Sequence, residues 1–562
     1  MQDHTSHVMG GEEGFPTHTD GLPEARRPPV LELADGDVLD LRVGPVVKQL
    51  QDTRVRMLAY NESIPGPILK VHQGAKIVVN VVNEGDLDTT VHWHGLRLQN
   101  RYDGVPQETQ APIPVGGEFT YHVQFPDPGL YWYHPHIRED YAQELGLYGN
   151  ILVLPDAGDY WPPADRELFL TLDDILLVNG KVAPFSTTET NYAAMGRFGN
   201  LLLTSGEPDL RLAARTGEVV RLWLTNTASA RIFNVRLPGA RMKLVGGDSG
   251  RVEHEEFVPE VLLAPSERSV VDVLLGKPGE LRLEHRTPRR SYPLATVTVG
   301  GEHIAPSRDA QFAGLRRAPE LAAERQRLGA WLAAAPDKVL ALVAEMADVL
   351  STVESATYGC PMHPEVTSDE PGRCPKCGMK LMAMEAAAQA DSHQGHATAH
   401  GVGHAAEDEG SSHEHEHGHS TVDGIEWEDD MVEVNRLTTS ATMSWRFVDR
   451  TFGTDSTPSD WRFTAGDRVK IRLVNEMESD HPMHHPFHLH GAGRFLVLAR
   501  DGVAEPNLVW KDTVLIRTGQ TVDILFDVTN PGRWMAHCHI PEHMHSGMMF
   551  SFVVDGPQVA TT

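Results

Sequence analysis

The stretch HCHIPEHMHSGM, residues 537–548, sets Cys538 between His537 and His539 and adds His543 and Met548 five and ten residues beyond the cysteine. On an extended strand successive side chains face opposite ways, so His537 and His539 would share one face while Cys538 looks out of the other. One strand could then serve two sites. A thiolate, two imidazoles and a weak axial thioether form the ligand set of a blue-copper electron-transfer centre, and His485, three residues before His488, is available as a further imidazole. Zinc in such a set would be redox-silent. Three more pairs of the form His-X-His occur in strand-like surroundings: His92 and His94 in HWHG, His134 and His136 in YHPH, and His488 and His490 in HLHG. A single pair of alternate histidines often merely decorates a solvated strand. Four pairs split between the two ends of the chain would bring eight imidazoles together if the terminal β regions pack face to face. Imidazoles suit copper, zinc, iron or nickel, so the pairs alone do not name the metal.

A second constellation stands apart. CPMHPEV and CPKCGM give C-x2-H and C-x2-C knuckles separated by ten residues, so Cys360, His363, Cys374 and Cys377 could close one four-ligand site. Zinc is the default occupant of such a set, whereas Met362 and Met379 soften the surroundings toward Cu(I). Eight histidines follow between 393 and 419 in a tract of Gly, Glu and Ala. That tract reads as disordered without metal and as an exposed low-affinity metal sponge, or else as a charged solubilising linker.

The elements that must position these residues are mostly strands. From 28 to 156, runs such as KIVVNVVNEGDLDTTVHWHG alternate with Gly, Pro, Asn and Asp, the cadence of an all-β sandwich or barrel. A second such stretch, 157–305, has no dense histidine cluster, and a third runs from 425 to 562. Between them, 306–424 reads as an insertion comprising one or two helices over 316–355, rich in Ala, Leu, Glu and Arg, then the Cys/His motif and the His-rich tract. With 49 Lys+Arg against 78 Asp+Glu the formal charge is −29, which disfavours nucleic acid and anionic lipid as partners. No apolar run is long enough to span a bilayer. The N-terminal MQDHTSHVMGGEEGF lacks the features of an export signal. With three of the four cysteines in one metal-like motif, no disulfide framework is implied.

HWHG, WYHPH, HPFHLHG and HCHIPEHMHSGM, in that order, closely resemble the copper signatures of the multicopper oxidases, specifically the three-domain bacterial laccase and copper-oxidase branch. The resemblance covers 28–304 and 425–562 and implies three cupredoxin-like domains and four copper ions. His485, Cys538, His543 and Met548 would bind the type 1 copper, with Met549 the weaker choice of thioether and with HPFHLHG setting the register on His485 rather than His481 or His484. His92 and His488 would bind type 2 copper, and His94, His134, His136, His490, His537 and His539 the type 3 pair. Such enzymes couple one-electron oxidation of donors to four-electron reduction of dioxygen to water, and the strand carrying Cys538 would be the wire between the sites.

Reduction to water consumes protons, so an acid beside the cluster is expected. Asp103, nine residues beyond His94 in NRYDGVPQ, matches a family acid credited with that role, although it also reads as a turn residue before Gly104. Met544 stands where relatives often carry an acid, which leaves Glu542 as a substitute for a second proton route. The Cys/His segment resembles the small heavy-metal-binding domain of copper-export proteins and would hold additional copper or zinc. Phenols, aromatic amines and Cu(I) are the donor classes implied, with Met483, Met544 and Met549 tilting toward metal handling; a periplasmic or extracellular location follows from the family. The alternative class is a non-catalytic copper-sequestering resistance protein, against which eight histidines in fixed register weigh, because a sponge requires no geometry.

Overall fold

The computed structural model describes residues 14–347, 357–363, 365–383, 424–428 and 432–557. The His-rich tract lies outside them. Three pairs of sheets follow one another along the chain. In the first pair, Val38–Leu50 is flanked by Thr53–Tyr60 and Lys76–Asn83, with Glu118–Gln124 at the edge, and this sheet faces one of five strands that ends Gly149–Leu154, Gly129–His134, His92–His94. The strand Lys76–Asn83, KIVVNVVN, shows why: alternate residues from Ile77 onward are buried and those between are half-exposed, the period-2 pattern of a sheet with one face on the core. The second pair has six and five strands around Glu218–Asn226 and Gly279–Arg286. The third has the same arrangement around Arg468–Asn475 and Gly532–Cys538. The fold is thus all-β, as expected.

The stretch from 316 onward was expected to form one or two helices, and its described residues form one, Pro319–Ala333, which turns Leu321 and Leu328 onto Leu496, Leu508 and Trp510 of the third domain. The next segment, Lys338–Met346, is a strand paired parallel with Arg468–Asn475 and antiparallel with Met443–Asp449. A short apolar run such as VLALVA has the same periodicity in a buried strand as in a buried helix. Here pairing on both edges and burial of Leu340, Leu342 and Ala344 override the helix preference of Ala and Leu. The insertion therefore does not begin at 306, and the third domain does not begin at 425: its six-stranded sheet includes 338–346. Deleting 306–424 with a flexible bridge is expected to unfold the third domain rather than leave an active oxidase, whereas removing only 348–423 should retain it. Thermal unfolding of the two variants distinguishes these outcomes.

Candidate metal centres

Strand register brings the histidine pairs together. His92 pairs with His134 across the first domain's sheet, and His488 pairs with His537 in the third. The two faces meet, and the imidazoles fall into groups: His92, His94 and His488; His94, His134 and His539; and His136, His490 and His537, with the ligand atoms of each group within 4.8 Å of one another. All are buried, and each group draws on both terminal domains. The expected type 3 residues thus separate into two triads, with His92 and His488 left facing the space between.

The outward nitrogen of seven of the eight rings has a close partner. Nδ1–H donates to the Asp103 carbonyl from His92 at 2.7 Å, to the Pro135 carbonyl from His134 at 2.8 Å, to the Asp512 carbonyl from His488 at 2.9 Å, to Asp103 Oδ2 from His490 at 2.8 Å and to the Cys538 carbonyl from His537 at 2.9 Å, while His136 Nδ1 lies 2.9 Å from Glu139 Oε1. His94 is reversed, donating Nε2–H to Asp512 Oδ1 at 3.0 Å. The inward atoms, Nε2 of His92, His134, His136, His488 and His539 and Nδ1 of His94, are buried without a hydrogen-bond partner, and Nε2 of His490 and His537 face each other at 3.1 Å. A neutral imidazole that donates through one nitrogen presents a lone pair at the other. Burial first, and the neighbouring imidazoles second, hold His94, His134, His488, His490 and His537 below their ordinary range, keeping them in the neutral, ligating form. Six orphaned nitrogens, together with the facing pair of His490 and His537, converge from eight rings and fit a metal cluster.

Cys538 leaves the same strand on the opposite face. Its Sγ lies 3.6 Å from His485 Nδ1 and 3.6 Å from His543 Nδ1, and these two nitrogens are 3.2 Å apart. Met548 is fully buried in the same core cluster as Cys538, while Met549 is half-exposed on the surface. Pro541–His545 forms a short helix that carries His543 back over the strand. Trp445 stacks on His543 at 4.1 Å between ring centres, and His543 Nε2–H donates to the Ala194 carbonyl at 3.2 Å. Burial pushes the Cys538 thiol up, so the free protein holds a protonated sulfur that a soft cation must deprotonate.

Asp103 is both a turn residue and a partner of the cluster. It ends the 3-10 turn Asn100–Tyr102, and Gly104 follows at φ +84° with a Cβ position only 2.1 Å from the Val91 carbonyl oxygen, so no other residue fits there. Burial opposes charge on Asp103, yet His490 and His92 outweigh it and hold the carboxyl below the usual range. Glu542, the expected substitute acid, points elsewhere: its Oε1 accepts the Arg197 amide at 2.9 Å. The carboxylate that touches a clustered ring in this region is Glu139, which also accepts from His545 Nε2 at 3.0 Å. HIRED places Glu139 three residues after His136, a spacing that could have revealed it.

Burial, reinforced by Asp140, pushes Glu542 up to about 8 from 4.5. Between those values the unfolded chain ionises this group while the folded protein keeps it protonated, so stability falls as pH rises through the window. Glu542→Gln removes the penalty. Its Tm advantage over the parent, in copper-free protein, should grow from about pH 5 to pH 8, by roughly 2–4 °C per kcal/mol for a unit of this size.

Two partners were illegible in the sequence. Asp512 accepts from His94 and, through its carbonyl, from His488, and it is clamped by both terminal nitrogens of Arg268, Nη1 at 2.7 Å. Arg268 belongs to the histidine-poor second domain and also donates to the Leu130 carbonyl of the first at 3.0 Å. All three domains thus meet at one buried ion pair. Arg268→Met leaves Asp512 an uncompensated buried charge and should lower copper retention by the clustered histidines about 10–100-fold, the usual effect of losing a group that orients ligands. Equilibrium dialysis against a copper chelator checks it.

Within the inserted stretch, Cys360 Sγ lies 3.7 Å from His363 Nδ1 and 3.6 Å from Cys377 Sγ, and Cys374 Sγ lies 3.5 Å from His363 Nδ1. The four ligand atoms are mutually within 4.8 Å, as the spacing anticipates. All four cysteines of the chain are free thiols.

Residues 45–158 and 429–558 match two multicopper oxidase family models, and 357–384 match a heavy metal binding domain. The multicopper oxidase MmcO of Mycobacterium tuberculosis is 26% identical over 524 residues, covering 88% of this chain and 82% of that protein. Copper resistance protein A of Pseudomonas syringae pv. tomato is 26% identical over 295 residues, 45% of this chain and 48% of its own. The solved structure of a laccase-like multicopper oxidase from Ochrobactrum sp., described with oxidase activity towards lignin model compounds, superposes with a TM-score of 0.63 at 20% identity, covering 95% of this chain and all of that one. The chain belongs to the multicopper oxidases, oxidoreductases built from cupredoxin-type domains, and carries a heavy-metal-binding domain within it.

Proposed function

We propose that the protein is a four-copper oxidase that couples one-electron oxidation of cuprous ion, and of phenols or aromatic amines, to reduction of dioxygen to water. The observation that carries this reading is one strand serving two ligand sets, a soft thiolate set on one face and an all-imidazole set on the other. His485, Cys538, His543 and Met548 would hold the type 1 copper, His92 and His488 the type 2 copper, His94, His134 and His539 one type 3 copper, and His136, His490 and His537 the other. Copper bound there would supply one-electron uptake at the thiolate site and, from three ions at the imidazole site together with the one at the thiolate site, the four electrons that dioxygen requires. Cys538 shares peptide bonds with His537 and His539, so the two sets are joined covalently. Asp103 fixes the tautomers of His92 and His490 and stands where a proton can be held beside the imidazole set. Cys360, His363, Cys374 and Cys377 would bind a further copper or zinc ion.

Cuprous ion is favoured as a physiological donor by the heavy-metal-binding domain. Of the three methionines expected to point to metal handling, Met483 and Met544 are buried and only Met549 is exposed, so the weight rests on that domain. A periplasmic or extracellular place follows from the family, where such copper is met. Among the described residues no helix is long and apolar enough to cross a membrane. The deciding experiment is oxygen uptake by the copper-loaded protein with Cu(I) and with a phenol, side by side. Uptake with both, faster with Cu(I), is expected; copper binding without uptake from either donor would establish the sequestering alternative instead.

A further inference from the structure

The Cys/His unit builds part of the wall around the thiolate site. Its described part has three strands of two residues each, Tyr358–Gly359, Thr367–Ser368 and Met382–Ala383, around a small cluster of Cys360, Cys374 and Leu381. A unit this small has too little core to fold by itself, so metal drawn between its four ligands must supply the folding energy. The knuckle CPKCGM closes through two hydrogen bonds: Cys374 N–H donates to the Met379 carbonyl at 2.8 Å, and Gly378 N–H to the Cys374 carbonyl at 2.8 Å. The ligand Cys374 thereby fixes where Met379 stands.

Met379 does not stay within the unit. It is 1% exposed and lies in the core cluster of the third domain that also holds Met483, Cys538 and Met548, and Met362 and Cys377 pack against that cluster. Arg373 and Lys380, which pair across the base of the knuckle, both hold Asp480: Lys380 N–H donates to its carbonyl at 2.9 Å and Arg373 Nη2 to its Oδ1 at 3.1 Å. From the other side, Asp480 N–H donates to the Ala344 carbonyl at 3.0 Å, and its Oδ2 accepts the Met346 amide at 3.0 Å. His485 follows five residues later. The loop entering the thiolate site is thus gripped between the domain's own sheet and the knuckle.

We infer that the Cys/His unit is a metal-operated clasp on the type 1 site: a thiophilic closed-shell cation, Zn(II) or Cu(I), bound by Cys360, His363, Cys374 and Cys377 seats Met379 in the core beside Cys538 and so tightens the hold of the type 1 ligands on their copper. This rests on the type 1 assignment alone, whatever the donor. An open knuckle withdraws Met379, leaves its place in the core to water and frees one side of Asp480. The apolar shell around a metal site controls solvent access and dielectric there, so opening it loosens the site it covers. No electron and no ion passes between the two sites, and redox-silent zinc therefore closes the clasp as well as copper does. Coupling of this kind is reciprocal: type 1 copper strengthens the unit's grip on its own ion by the same factor.

The test uses the full chain, loaded first with zinc and then with copper, and dialysed against a copper chelator while the blue absorption is followed. Cys374→Ser/Cys377→Ser should lose the zinc and weaken retention of the blue copper about tenfold, within the usual range of coupling between sites, while the imidazole cluster keeps its copper as in the parent. Met379→Ala should keep its zinc yet hold the blue copper as weakly as the double variant. The reverse arm needs no turnover: zinc affinity, read by competition with a chromophoric chelator, should be about tenfold lower in Cys538→Ser than in the copper-loaded parent. Lost core packing alone would weaken the blue site without that reciprocal change. Should the double-cysteine variant fail to fold, the zinc comparison between parent and Cys538→Ser decides alone. Equal zinc affinity in those two, or parent-strength retention of blue copper in a folded, zinc-free double variant, overturns the inference. A copper-loaded parent without blue colour would instead refute the type 1 assignment on which it rests.

Discussion

Cys538→Ser is expected to abolish both the intense blue absorption and donor oxidation of the copper-loaded protein. The thiolate, 3.6 Å from each of two imidazole nitrogens, is the soft ligand of the set, and a serine hydroxyl is neither soft nor deprotonated near neutral pH. The histidine cluster should keep its metal, because His537 and His539 face away from the substituted side chain and their strand partners are unchanged. Visible absorption and total copper, measured together, decide it: a serine variant that stayed intensely blue would remove Cys538 from the site, and loss of all copper would show that the two faces of the strand fold as one metal-dependent unit.

Asp103→Asn should slow reoxidation by dioxygen by about two orders of magnitude, the usual share of general acid catalysis, while anaerobic reduction by donor stays fast. An asparagine can still accept from His490 Nδ1 through its amide oxygen, now at 2.8 Å from Asp103 Oδ2, so ring orientation is nearly preserved while the carboxylate that could take up a proton and pass it on is lost. Stopped-flow reoxidation with a parallel copper assay separates the two roles. A variant with full copper that reoxidises at the parent rate across the acidic range leaves Asp103 as a turn residue that orients ligands.

The histidine sets were legible because strand periodicity is rigid: alternate residues share a face, and HCH, HLH, HPH and HWH state their geometry outright. Asp103 was legible by position only, its contact with His490 being between residues 387 apart in sequence. Asp512 and Arg268 were not, since an acid in WKDTVLI and an arginine in SERSVV carry no local signature, and their meaning arises only where three domains meet. The strand Lys338–Met346 was misread as helix because its partners, Met443–Asp449 and Arg468–Asn475, lie on the far side of the inserted domain, and local preference is all a sequence window can weigh. The docking of the Cys/His unit was likewise invisible: spacing defines its four ligands but not the surface they rest on.

The groups that pair His92, His94, His134 and His136 with residues beyond 487 have a consequence for the order of events during synthesis. A ribosome releases the first four of these imidazoles hundreds of residues before their counterparts exist, so no half of the imidazole cage can grip metal at full strength while the chain is growing. Loading must wait for termination and for the two ends to close around the middle domain. Tight copper occupancy of the imidazole cage is therefore a record of completed assembly, one that truncated or prematurely released chains, whatever their partial fold, cannot show.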